Sequence, residues 1–90
     1  MNLTIEQRVK TVLVDALFIE VTEINLEDTL MEDLGADELD AINIALFLED
    51  EFNIEIPDET IEQLKTVKDI ISCVERKLLY KGENNGKDKI

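Results

Sequence analysis

The stretch that decides the fold is residues 34–52, LGADELDAINIALFLEDEF. Gly35 relaxes the backbone before a helix begins, and Asp37 offers a side-chain oxygen to the unpaired backbone N–H groups of the first turn. Apolar residues then cover most of the helical circumference as far as Phe52 and leave only a narrow polar stripe. We therefore predict that this segment, helix two, is central in the fold and contacts several neighbours.

Three other helices are predicted around helix two. Thr4–Gln7 has the pattern of a capping box, and apolar residues at helical spacing from Ile5 to Leu17 follow it as helix one. Pro57 suits the first turn of a brief third helix that ends near Leu64. A second capped start, at Thr66–Asp69, begins helix four.

The first connection, residues 18–36, has no helical period. It keeps apolar residues that we expect to pin it to the core, namely Val21, Ile24, Leu26, Leu30 and Leu34. Because strand alternation and internal repeats are missing, the predicted fold class is all-α, an up-and-down four-helix bundle with a short third helix and a long ordered first loop. Residues 1–80 are expected to form the domain and the polar segment 81–90 to be disordered.

The charge of the chain is strongly acidic and unevenly distributed. The formal net charge is −13, and no Lys or Arg lies between Thr11 and Leu64. Such a segment repels phosphate backbones and anionic membrane surfaces, so neither nucleic-acid binding nor membrane insertion is expected. A basic protein partner complements this charge, while a purely solubilising role explains it equally well.

The residue types present exclude several classes of chemistry. The chain has no histidine and a single cysteine, Cys73, so the usual catalytic base, the usual zinc ligands and an internal disulfide are missing. The acidic loop 27–33 lacks the residue order of an EF-hand, and no metal site is predicted. With no signal-peptide layout and no bilayer-spanning run, the chain is expected to be cytoplasmic. Because the sequence offers no constellation of a nucleophile with a base, we do not expect an enzyme, and we expect a monomer.

Four segments together resemble one known family. They are Thr4–Lys10, Glu32–Asp40, Glu49–Phe52 and Ile54–Glu59. In order and at the family's loop lengths, they are similar to the acyl carrier protein of type II fatty-acid synthesis, over roughly residues 3–79. The resemblance implies the four-helix fold described above, a role in fatty-acid or related lipid metabolism, and a carrier or binding function in place of catalysis.

The family's attachment residue is altered in this chain. Its signature is Gly-x-Asp-Ser-Leu, whose serine carries 4′-phosphopantetheine, whereas residues 35–39 read Gly-Ala-Asp-Glu-Leu. Glu38 offers no hydroxyl for that bond, so no cofactor is expected on this chain. Two explanations of Glu38 are open: its charge favours a helix start, or it also imitates the phosphate of the modified family members.

The resemblance also implies a docking surface on helix two. Family members present acids there to Arg and Lys patches on the enzymes of fatty-acid or polyketide-type synthesis. The matching positions here are Asp37, Leu39, Asp40, Asn43, Leu46, Phe47, Glu49 and Asp50. Two of them depart from the family, because Asn43 replaces a common Glu and Phe47 replaces a small residue. Phe47 is either an anchor for a partner or a ring that tucks against neighbouring loops.

Two functional hypotheses follow from these observations. In the first, the chain is a binding module that docks basic enzyme surfaces through helix two and holds no acyl group. In the second, it is a genuine acyl carrier in lipid or polyketide synthesis whose serine has been replaced in this sequence. The pathway, the partner enzymes and any acyl-chain preference are not readable from the residues.

Overall fold

Four α-helices make up most of the chain. The computed structural model describes residues 4–88, with side chains for residues 4–57 and 59–80. The helices are α1 (Ile5–Leu17), α2 (Glu38–Phe52), α3 (Asp58–Gln63) and α4 (Val67–Asp88), with a 3₁₀ turn at Val21–Glu23. An isolated bridge between Thr29 and Thr66 is the one β-type pairing of residues 4–88. The predicted all-α class, the short third helix and the long first loop are confirmed.

Both predicted capping boxes are present. The Gln7 N–H donates to Thr4 Oγ1 at 3.1 Å, and the Thr4 N–H donates to Gln7 Oε1 at 2.9 Å. At the start of α4, the Asp69 N–H donates to Thr66 Oγ1, and Asp69 Oδ2 accepts the Thr66 N–H, both at 3.1 Å. The Thr66 N–H, reinforced by the Lys65 N–H, holds the pKa of the Asp69 carboxyl below its usual value.

The core lies between α1, α2 and α4. Its fully buried side chains include Leu13 from α1, Leu48 from α2 and Ile70 from α4. Cys73 is also buried. Because these side chains are aliphatic and close-packed, the cost of removing any one of them includes a cavity as well as lost apolar burial.

An arginine joins the start of α1 to the end of α2. Arg8 Nε lies 2.9 Å from Glu51 Oε2, and Arg8 Nη2 donates to the Glu51 carbonyl at 2.9 Å. The same guanidinium lies over the Phe52 ring, 4.4 Å from its centroid. The start of α1 therefore lies beside the end of α2, and the two helices run antiparallel.

The first loop is ordered, but only part of its predicted pinning is correct. Ile24 and Leu30 are buried, whereas Val21 and Leu26 are exposed. Three backbone hydrogen bonds of 2.8–3.0 Å join residues 26–30 to residues 65–68. The Leu26 carbonyl is one of the acceptors, so residue 26 holds the loop through its backbone and leaves its side chain partly in solvent.

Helix two is less central than predicted. Its buried side chains are Ile44, Ala45, Leu48 and Phe52. Leu39 is 71% exposed, Ile42 46% and Leu46 55%, so one apolar side of α2 faces solvent. The reason is the size of the neighbours, because α3 has only six residues and cannot cover a helix of fifteen.

Helix α4 continues to Asp88, into the segment 81–90 that was expected to be disordered. Residues 81–88 extend a helix that is already nucleated, and they contain no proline to stop it. Residues 1–3 and 89–90, at the ends of the predicted domain and tail, lie outside the described residues. The division of the chain at residue 80 stays a prediction.

Candidate functional site

The start of α2 is fixed by a chain of local contacts. Gly35 has φ 77°, a left-handed conformation that glycine adopts without a steric penalty. The next residue, Ala36, is buried and donates its N–H to the Leu30 carbonyl at 2.8 Å. Asp37 then caps the helix: its Oδ1 accepts the Asp40 N–H at 2.8 Å, and Asp40 Oδ2 accepts the Asp37 N–H at 3.1 Å. The predicted N-cap is confirmed, and its reciprocal partner is Asp40.

Glu38 is the first residue of α2 and is exposed to solvent. Its charge therefore lies at the positive end of the helix dipole, where an acid is favourable. It also lines an open cleft of about 510 Å³ between α2, α3 and the first loop. The apolar residues lining this cleft are Leu30, Met31, Ala36, Ala41, Ile42, Ile61 and Leu64.

No hydroxyl stands where a phosphodiester could form at the start of α2. Residues 38–52 contain no Ser, Thr or Tyr. In the cleft, the Thr29 hydroxyl donates to Asp33 Oδ2 at 3.2 Å and accepts the Asp33 N–H at 3.2 Å. Ser72 lies inside α4, beyond its first turn. The side chains at the start of α2 therefore do not fit a phosphopantetheine group, which needs an alcohol oxygen.

The exposed side of α2 carries an apolar row. We define the helix-two row as Leu39, Ile42, Leu46 and Phe47. The first three follow one another at spacings of three and four on one face, and Phe47, next to Leu46 in sequence, lies roughly a quarter turn further round. Phe47 is 43% exposed, partly covered and partly in solvent, so both of its explanations stay open. Asn43 is exposed between these residues. Ile42 was not among the positions predicted for the docking surface, although it lies three residues after Leu39.

The acids predicted for the docking surface divide into two groups. Asp37 and Asp40 are engaged in the cap of α2, and Glu49 Oε2 accepts the Ile56 N–H at 2.7 Å. These three carboxylates therefore hold local structure. Glu38 and Asp50 are exposed, and among the described residues neither takes part in an ion pair or a side-chain hydrogen bond. They are the acids of α2 whose charge is fully presented to solvent.

Two further features of the described residues bear on the site. No group of three or more His, Cys, Asp or Glu side chains within them is arranged to hold a metal ion. Over the same part of the chain, no helix has the length and apolar character needed to cross a bilayer.

Comparison with known proteins places the chain in a family. The family described as "Phosphopantetheine attachment site" matches residues 7–74. The chain is 44% identical over 69 residues to the acyl carrier protein of Helicobacter hepaticus, covering 77% of this chain and 91% of that protein. It is 40% identical over 75 residues to the acyl carrier protein of Bdellovibrio bacteriovorus, covering 83% and 96%. This chain belongs to the acyl carrier protein family.

Proposed function

We propose that this chain is a docking member of the acyl carrier protein family that does not itself carry phosphopantetheine. It binds basic surfaces of fatty-acid or polyketide-type synthesis enzymes through the helix-two row and its flanking acids, and it catalyses no reaction. The observation that carries the proposal is the exposed Glu38 carboxylate at the first position of a fully capped α2.

The chemistry of attachment supports the first part of the proposal. Forming a phosphodiester requires an alcohol oxygen as the nucleophile, and a carboxylate does not supply one. The start of α2 is otherwise intact, since Gly35, Asp37 and Asp40 make the contacts that place residue 38 at the helix terminus. The chain therefore lacks the hydroxyl oxygen at residue 38 but keeps the backbone and cap that hold residue 38 at the start of α2.

The charge of Glu38 supports a role in recognition. A phosphodiester at this position carries one negative charge near neutral pH, and so does the Glu38 carboxylate. Because Glu38 is exposed and makes none of the ion pairs of the described residues, its charge is available to a partner. We propose that Glu38 both stabilises the start of α2 and presents this charge to the enzyme that binds.

The surface beside Glu38 supports docking. The helix-two row offers four exposed apolar side chains, with Glu38 at one end of the helix and Asp50 towards the other. Apolar contact supplies affinity at protein interfaces, while complementary charge at the edge guides association and fixes orientation. A partner that fits has an apolar groove bordered by Lys or Arg.

The first test is the intact mass of the chain after incubation with coenzyme A and a broad-specificity phosphopantetheinyl transferase. The unaltered chain should gain no mass. The matched variant is Glu38→Ser, which restores the alcohol without moving the cap. A phosphopantetheine group on the unaltered chain would overturn the proposal.

The same variant tests the alternative, a genuine acyl carrier whose serine has been replaced. The cleft of about 510 Å³ beside residue 38 favours this alternative, because it gives an attached chain an apolar surface. Complete modification of Glu38→Ser, followed by acyl loading by a fatty-acid synthesis enzyme, would support it. A Glu38→Ser chain that the transferase ignores would count against it.

The docking surface is tested by titrating a purified carrier-dependent enzyme of fatty-acid synthesis. Asp50→Lys should weaken binding about tenfold or more, since it places a cation against a basic partner. The matched control is Glu75→Lys, the same charge reversal at an exposed position on α4. Glu38→Gln tests charge mimicry separately, and equal affinity for the Gln variant would end that part of the proposal.

A further inference from the structure

The residue that ends α1 is an aromatic in an unusual conformation. The helix ends at Leu17, and Phe18 follows with φ 58° and ψ 44°, the left-handed region, while its N–H donates to the Val14 carbonyl at 2.8 Å. The Phe18 side chain is almost wholly in solvent, at 93% exposure. Glycine is the common residue at such a position, since it has no Cβ to clash.

Phe18 therefore has an unfavourable backbone conformation and no apolar burial to offset it. A residue with a Cβ is strained in the left-handed region, and a bulky one is a clear outlier there. An exposed ring gains nothing from apolar burial. Among the described residues, the one aromatic ring that makes a cation–π contact is Phe52, and the Phe18 ring makes none. The ring is thus presented to solvent by a backbone that would be more stable without it.

The neighbours of Phe18 give this surface a definite chemistry. Val21, three residues on, is 51% exposed and adds a second apolar group. The acids Asp15, Glu20 and Glu23 are all exposed, and neither ion pair of the described residues uses them. The result is an apolar projection with an acidic border. The complementary surface is an apolar pocket bordered by Lys or Arg.

The charge argues against two other occupants. A second copy of the chain, with a net charge of −13, would bring a like-charged surface against the same acids. An anionic membrane would be repelled in the same way. A basic protein is the partner that the surface fits.

Phe18 lies outside the helix-two row, because it follows α1 and begins the first loop, whereas the row lies on α2. We propose that Phe18 anchors a second protein-docking surface, with Val21 beside it and Asp15, Glu20 and Glu23 at its border, which binds a basic protein through an apolar pocket.

The test places a photoreactive p-benzoylphenylalanine at position 18 of the full chain, produced in the cell that naturally makes it. Matched chains carry the same group at Leu46, on the helix-two row, and at Ser72, an exposed position on α4. Proteins joined to position 18 are identified by mass spectrometry and purified. Their affinity is then measured for the unaltered chain, for Phe18→Gly and for Phe18→Tyr, which keeps the ring.

We expect Phe18→Gly to weaken binding and, at the same time, to raise the free energy of unfolding. Position 18 should capture a protein with a basic surface, and Phe18→Gly should bind it about tenfold more weakly or worse, while Phe18→Tyr stays close to the unaltered chain. The same Gly variant should resist urea better than the unaltered chain, because the left-handed strain is relieved. If Phe18 only stabilised the fold, Phe18→Gly would instead be less stable in urea than the unaltered chain.

Several outcomes would overturn the proposal. They are adducts at position 18 no more abundant than at Ser72, adducts only to another copy of this chain, a captured protein without a basic surface, equal binding by Phe18→Gly, and a less stable Gly variant. Adducts at Leu46 report separately on the helix-two row. Their absence would therefore count against the proposed function and leave the inference about Phe18 intact.

Discussion

Replacing Asp37 separates the two ways in which one side chain holds the start of α2. Its Oδ1 accepts the Asp40 N–H at 2.8 Å, and Asp40 Oδ2 returns the interaction at 3.1 Å. Losing an N-cap acceptor costs about 0.5–2 kcal/mol, and an acid at a helix N-terminus contributes about 0.3–1 kcal/mol. Because both effects are lost together, Asp37→Ala should lower the free energy of unfolding by about 0.8–3 kcal/mol.

The matched variant is Asp37→Asn, which keeps a side-chain oxygen and removes the charge. Its expected loss is smaller, about 0.3–1 kcal/mol, because asparagine caps as well as aspartate does. Urea unfolding followed by circular dichroism at low salt measures both, and each kcal/mol shifts the melting temperature of a small domain by about 4–8 °C. An alanine variant as stable as the unaltered chain would refute the reasoning, and equal losses would show that charge alone matters.

Three other changes probe the rest of the fold by urea unfolding. Arg8→Lys loses the paired contact with Glu51 and the stacking on Phe52, and should cost about 0.5–1.5 kcal/mol after allowance for partial exposure; no loss would contradict it. Leu13→Ala leaves a cavity at a fully buried site and should lower the free energy of unfolding by about 2–5 kcal/mol. A loss below about 1 kcal/mol would contradict this prediction. Asp69 has a lowered pKa, so its stabilisation is complete above its ordinary value of 3.8 and is lost as pH falls through its lower folded value. The difference in the free energy of unfolding between the unaltered chain and Asp69→Asn should therefore narrow as the pH falls through that range. A difference that does not change with pH would disprove the link between protonation of Asp69 and stability.

The helix starts were predictable from the sequence because their signals are local. Thr4 with Gln7 and Thr66 with Asp69 are each three residues apart, and the bonds they form need no distant partner. The N-cap at Asp37 followed from the same principle. The buried faces of α1 and α4 were also predictable, since a regular apolar spacing has only one side on which to pack.

The exposure of α2 was not predictable, because it depends on how much its neighbours cover. Leu39 and Leu48 are the same residue type in the same apolar helix, yet Leu39 is 71% exposed while Leu48 is fully buried. The two leucines are nine residues apart and so lie on opposite sides of α2, of which only the side with Leu48 faces the core. Where a helix is apolar on both sides, the sequence pattern alone does not show which side its neighbours cover.

Two other features were hidden for a similar reason. Glu49 was predicted as a docking acid, and its carboxylate also accepts the Ile56 N–H across the turn that follows α2, a contact that exists only once the chain folds back. The left-handed backbone of Phe18 was hidden because glycine is the usual signal for that conformation, and the sequence has a phenylalanine there.

If α2 docks a partner as proposed, the division among its acids determines how that partner can recognise it. Asp37, Asp40 and Glu49 engage backbone N–H groups with their carboxylates, so replacing them disturbs the fold before it disturbs an interface. Glu38 and Asp50 make no such contacts among the described residues, and they lie near opposite ends of the helix-two row. Two charges so placed can orient a partner, but the apolar row between them must supply most of the affinity. Binding should therefore weaken only moderately as salt is raised, whereas a partner held by the net charge of the chain alone would dissociate steeply.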